Sequence, residues 1–142
     1  MNRSLTAGSI SPIAGFTIKN LKEDVEDSAV KFGFSPTLEA RFARDELEAE
    51  ELGISYQRVA PNEESPFAHK HKEQPEEIYV IVGGSGRINV DGELHDVGPW
   101  DAIRVAGDVV RFWVAGPDGL ELIAFGTSSG GMDAELVQPD AD

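Results

Sequence analysis

From Ile54 onward the hydrophobic positions alternate with polar ones in short runs: ISYQRV, EEIYVIV, GRINV, ELHDV, DAIRV, VRFWV and LELIAF. Between them lie PNEESP, GGSG, DG, GP, AGD and AGPDG. Period-two alternation bounded by Gly, Pro and Asp-Gly is the pattern of strands joined by tight turns. Because no helical stretch interrupts the series, the strands must pair antiparallel, which predicts a sandwich or barrel.

Upstream the pattern changes character. Ile13, Phe16 and Ile18 in IAGFTIKN alternate and predict a first strand. In DVEDSAVKF, Val25, Ala29 and Phe32 stand at i, i+4 and i+7, which predicts a short amphipathic helix started by Asp24 and ended by Gly33. The stretch TLEARFARDELEAEELG is helical by composition, yet Leu38, Ala40 and Phe42 alternate, so two strands turning at Arg44 and Asp45 are expected. Residues 1–12 are rich in Ser, Gly and Thr and predict a flexible arm, and residues 127–142 are polar and predict a loose tail. One domain over residues 13–126 remains.

Composition narrows what such a domain can do. A chain of 142 residues that is 40% hydrophobic holds one core. Twelve basic against 26 acidic side chains give a net charge of −14, which repels nucleic acid and anionic membrane surfaces. The absence of cysteine removes thiolate nucleophiles and thiolate metal ligands. MNRSLTAGSISPIAGF lacks the apolar run of a signal peptide, and no stretch approaches 18 apolar residues, so a soluble cytoplasmic protein is expected.

The chemistry concentrates in HKHKEQPEEIYVIVGGSG, residues 69–86. A His-x-His pair in extended chain points both imidazoles to one side. Next comes a loop holding Gln74 and Pro75, and then a strand with Glu77, Tyr79 and Ile81 on one face and Ile78, Val80 and Val82 on the other. If the two strands are neighbours, His69, His71 and Glu77 form a two-His, one-carboxylate set that leaves coordination positions open on a divalent metal. Glu76 is the alternative ligand if strand entry shifts by one residue.

His69, His71, Glu77 and Gly84 together resemble the first motif of the cupin superfamily, and the following GSGRINVDGE does as well. The five residues between His71 and Glu77 are one more than the usual three or four. The second cupin motif is partial: in WDAIRVAGDVVRFWVAG, Ala106, Asp108 and Arg111 stand where that family has Pro, Gly and the fourth metal ligand, His. The resemblance covers about residues 52–126 and is in particular to small single-domain bacterial cupins. It implies an all-β, cupin-type jelly-roll β-barrel, here with a short N-terminal helix, and a site for Fe, Mn, Ni or Zn.

Two function classes follow from the resemblance. One is a metal-dependent enzyme of oxygenase or isomerase type acting on a small organic molecule in the barrel, an acidic one included; the other is a non-catalytic binding or sensing domain with a degenerate metal site. Arg111 bears on the choice, because an inward guanidinium repels a divalent ion unless it pairs with Glu77 or with a substrate carboxylate. Tyr79 and Trp113 share its inward face by parity, and with Gln57 they are candidates to line a substrate pocket. No residue is assigned a catalytic role, and His95 is read as an ordinary strand residue. The apolar IAGFTI segment and the outward Ile78, Val80 and Val82 predict a homodimer.

Overall fold

The computed structural model describes residues 15–127 and 134–137. Its elements in chain order are α1 (Ser28–Lys31), β1 (Leu38–Phe42), α2 (Arg44–Leu47), β2 (Leu52–Val59), β3 (Ala68–His71), β4 (Glu76–Val90), β5 (Glu93–Val97), β6 (Ala102–Ala106), β7 (Arg111–Thr127) and β8 (Ala134–Val137). All the ladders between strands are antiparallel.

Two long strands organise the jelly roll. The first half of β4 and the second half of β7, paired from Glu77↔Gly126 to Gly84↔Leu120, form one leaf, with β6 beyond β4 and β2 and β1 beyond β7. Their other halves, Gly86↔Ala115 to Val90↔Arg111, form a second leaf flanked by β5, β3 and β8. GGSG and AGPDG, expected to separate strands, are instead the points where β4 and β7 pass from one leaf to the other without ending. Bulges at Ile81/Gly83 and Gly84/Gly86 bend β4 there. Gly84 makes the bend with φ of 69°, and any Cβ would run into the Gly119 carbonyl.

The bends also exchange parity. Buried positions run Glu77, Tyr79 and Ile81 and then Ile88 in β4, and Arg111, Trp113 and Ala115 and then Leu120, Leu122 and Ala124 in β7. These side chains, with Leu38, Ala40, Val59, Val97 and Val105, fill the space between the leaves. On the outside, Phe125 and Ile78 are cross-strand partners that remain 42% and 41% exposed.

Several expectations are corrected. No strand forms at Phe16 and Ile18, which are exposed and without a pairing strand, while Ile13 lies outside the described residues. The first helix starts later than expected, because Asp24 is engaged in a turn with Asn20. Asp27 is the N-cap, its Oδ1 accepting from Ala29 N at 3.0 Å and from Ala40 N at 2.9 Å, which ties α1 to β1. Gly33 follows with φ of 78°, as expected at a helix end. Leu38–Phe42 is the strand its alternation predicts, but the second predicted strand is replaced by α2, where helix propensity prevails over one turn. Within the predicted loose tail, Ala134–Val137 forms β8 and pairs with β3 from Ala68↔Val137 to His71↔Ala134, because the edge of β3 needs a partner. The predicted arm and the rest of that tail lie outside the described residues. Among the described residues, no helix is long and apolar enough to cross a membrane.

Candidate metal centre

β3 and β4 do not pair, contrary to the neighbouring arrangement expected. β3 belongs to one leaf and the Glu77 half of β4 to the other, so the three residues meet across the barrel interior. Period-two geometry turns His69 and His71 inward from β3, and the same geometry turns Glu77 inward from β4. One ligand atom from each lies within 4.8 Å of the others. His71 Nε2 is 3.2 Å, and His69 Nε2 3.8 Å, from Glu77 Oε1. Glu76 points outward and pairs with Arg104 at 2.6 Å.

Behind this cluster sits Arg111, fully buried. Its Nη2 donates to Glu77 Oε1 at 2.8 Å, its Nε to Tyr79 Oη at 3.0 Å, and its Nη1 to the carbonyls of Ala106, Gly107 and Val109 at 3.2, 3.2 and 2.8 Å. Glu77 is one of the two partners open to Arg111 in sequence. Tyr79 hydroxyl donates to the same Glu77 oxygen, and its ring meets Trp113 edge-on at 4.9 Å.

Burial alone would raise the Glu77 carboxyl, but His69, His71 and Tyr79 stabilise its anion and hold it well below the usual carboxylate range. Burial, helped by the Glu77 charge, pushes the Tyr79 phenol well above its ordinary value, so Tyr79 stays a protonated donor. For His69, burial outweighs the attraction of Glu77 and lowers the imidazole, which therefore is neutral near pH 7 and suited to ligation. Arg111 remains charged: burial opposes this, but Tyr79 and Glu77 outweigh it.

The cluster closes one side of a cavity of about 310 Å³, walled by Phe34, Phe42, Phe67, Leu38 and Leu136 and carrying Gln57 from β2. Arg111, Tyr79 and Trp113 are not on this wall; they lie in the packed floor beneath it. His95 is exposed and beside Glu93.

Sequence reasoning missed two contributors. Phe67 lies on the His69–His71 face, two residues before His69, and contacts both Phe34 at 4.9 Å and His69 at 6.2 Å between ring centroids. The period that aligned the histidines would have found it. Gln74 was seen only as loop, yet its Nε2 is 3.1 Å from His71 Nδ1 and its side chain packs where a Cβ on Gly126 would stand. A partner on the far imidazole nitrogen fixes ring orientation for a ligand. No sequence pattern marks that role.

The donor set fits a divalent ion. An ionised carboxylate oxygen 3.2 and 3.8 Å from two imidazole nitrogens, with the three atoms within 4.8 Å of one another, suits a shared ion about 2.0–2.2 Å from each. Three protein ligands leave further positions open.

No protein-family model matches the chain. Over 64 residues it is 36% identical to dimethylsulfoniopropionate lyase DddW of Ruegeria pomeroyi, a match spanning 45% of this chain and 41% of that protein. Among solved structures it resembles a cupin protein of Bacteroides fragilis, with a TM-score of 0.65 and 23% identity over 89% of this chain and all of that one. It also resembles the polyketide cyclase RemF of Streptomyces resistomycificus, with a TM-score of 0.69 and 20% identity over 89% of each chain.

Proposed function

This chain is a cupin by fold, and from that premise we propose that it is a metal-dependent enzyme acting on a small organic molecule held in the barrel. The observation that carries this reading is the meeting of His69, His71 and Glu77 across the barrel at the edge of the apolar cavity. These three residues would hold Fe, Mn, Ni or Zn, and the ion would supply Lewis-acid or redox chemistry of the oxygenase or isomerase kind. Arg111 pairs with Glu77 and balances its charge, and Tyr79 fixes the same carboxylate by donating to it. Gln74 orients His71, and the phenylalanine wall keeps water from a bound molecule. The chain's match spans well under half of the curated lyase's length, so lyase chemistry is one branch of this reading and not its basis.

A second reading is favoured by one observation: the Arg111–Glu77 pair is complete without an ion. On this reading the domain binds or senses a metabolite without turnover. Metal analysis of protein purified without chelator separates the two. About one equivalent of a divalent metal per chain is expected for the enzyme, and less than a tenth of an equivalent, with no uptake on titration of Mn(II), Ni(II) or Zn(II), would leave only the binding domain.

We also propose that the chain pairs with a second copy through the outer face that presents Ile78, Val82 and Phe125, exposed apolar side chains on β4 and β7. Light scattering at micromolar concentration is expected to give twice the 15.3 kDa chain mass, and a mass at 15.3 kDa would contradict the pairing.

A further inference from the structure

Polar and apolar groups are segregated around the cavity in a way that defines its ligand. Phe34, Phe42, Phe67, Leu38 and Leu136 form an apolar wall, whereas among the described residues polarity is confined to Ser28, Gln57 and the His69, His71, Glu77 cluster. Among the described residues the lining contains no lysine or arginine, and the buried guanidinium of Arg111 nearby is engaged by Glu77, Tyr79 and three carbonyls. A sugar acid, a diacid or any molecule with hydroxyls along its length would bury polar groups against carbon, and each one left without a partner weakens binding by about tenfold. The wall offers rings: Phe34 and Phe67 stand tilted at 51° with 4.9 Å between centroids, and Phe67 continues edge-on to His69. Edge-to-face and offset contacts with such rings favour a flat apolar guest. At about 310 Å³ the space is at the lower end of the roughly 300–1,000 Å³ of small-molecule sites, enough for one compact ring system.

We infer that the ligand of this barrel has an aromatic-sized apolar body and a single polar end group, which is directed to His69, His71 and Glu77. This rests on the reading of the cavity as a small-molecule site beside a metal, and it narrows the substrate from any small organic molecule, acidic ones included, to one class. Charge recognition plays no part in holding its body; contact area and shape do.

Calorimetric titration with 2-naphthol and with gluconate, on protein with and without added Zn(II), tests it. The expected result is 2-naphthol binding at least tenfold tighter than gluconate, with a negative heat-capacity change. Phe67→Ala, which removes part of the wall, and Ala40→Leu, which fills the cavity, should each weaken 2-naphthol at least fivefold. The variant that keeps the parent's cooperative thermal transition decides, and the comparison of the two probes on the parent decides if neither does. Gluconate binding as tightly as 2-naphthol, no 2-naphthol binding at 1 mM, or unchanged affinity in folded variants overturns the inference. Zn(II) uptake without a preference for 2-naphthol would sink this inference and leave the metal reading standing. A 2-naphthol preference in protein that takes up no metal would do the reverse.

Discussion

Glu77→Gln is expected to abolish divalent-metal binding and, in the same step, to destabilise the protein by about 3–5 kcal/mol. Spacing alone makes Glu77 a ligand that the fold can spare, because a barrel holds its metal site without depending on it. The buried ion pair changes that expectation. Arg111 is 0% exposed and Glu77 is its only anionic partner among the described residues, at 2.8 Å. Gln preserves the volume, so no cavity forms, but it leaves a guanidinium buried without a counter-charge. Loss of one of three ligands should cost at least a hundredfold in metal affinity. Chemical denaturation and metal titration read the two effects separately. A second substitution identifies the cause: Arg111→Met added to Glu77→Gln should recover most of the stability, since an apolar residue of similar length removes the stranded charge, and should recover none of the metal affinity. An unchanged denaturation midpoint in Glu77→Gln would mean that the Ala106, Gly107 and Val109 carbonyls suffice to hold Arg111.

Arg111→His is expected to raise metal affinity about tenfold or more, which is roughly 1.4 kcal/mol. Two effects act together. The change removes a positive charge whose Nη2 sits 2.8 Å from the ligating carboxylate, and opposing charges at such range are worth on the order of 1 kcal/mol or more even at an effective dielectric near 20. It also introduces an imidazole on the residue opposite His69, since His69 and Arg111 are register partners on β3 and β7, and cross-strand side chains on one face lie about 5 Å apart. The cost is paid in stability, because three carbonyls and Tyr79 lose their donor. A melting temperature several degrees lower in the metal-free variant, recovered as metal is added, is the signature to look for. Metal affinity unchanged or reduced would mean that an imidazole at this position does not reach the ion.

The clustering of His69, His71 and Glu77 was legible where it depends on local period. His69, His71 and Glu77 were readable because alternation fixes which way each residue faces, whatever the strands pair with. Their partner strands were not readable: pairing is decided by β7, more than thirty residues away, and nothing in HKHKEQPEE encodes it. Arg111 stood out for occupying a metal-ligand position, and its two open partners could be named, but choosing Glu77 required the distance between leaves. The separators GGSG and AGPDG misled for a specific reason. Glycine marks a sharp bend inside a strand as well as a turn between strands, and only the ladder on either side tells the two apart. Ala134–Val137 was hidden because four residues of AELV carry too little alternation to be seen without the edge of β3 beside them. The shift from Asp24 to Asp27 at α1 turned on which of two aspartates Asn20 engages, a contest between neighbours that capping preference does not settle.

The position of β7 in the chain has a consequence in time. This strand pairs with β2, β3 and β4, all of which precede it, and contributes Arg111, Trp113, Leu120 and Leu122 to the interior. During synthesis, therefore, neither leaf can close and Glu77 has no counter-ion until residues 111–127 have left the ribosome. The β1–β2, β4–β5 and β4–β6 ladders can form without β7, but joining them into two leaves needs it, and the loop closures it imposes are long. Closing either leaf therefore requires long-range pairing by β7, and the net charge of −14 repels the unpaired strand edges of neighbouring chains until that pairing is made.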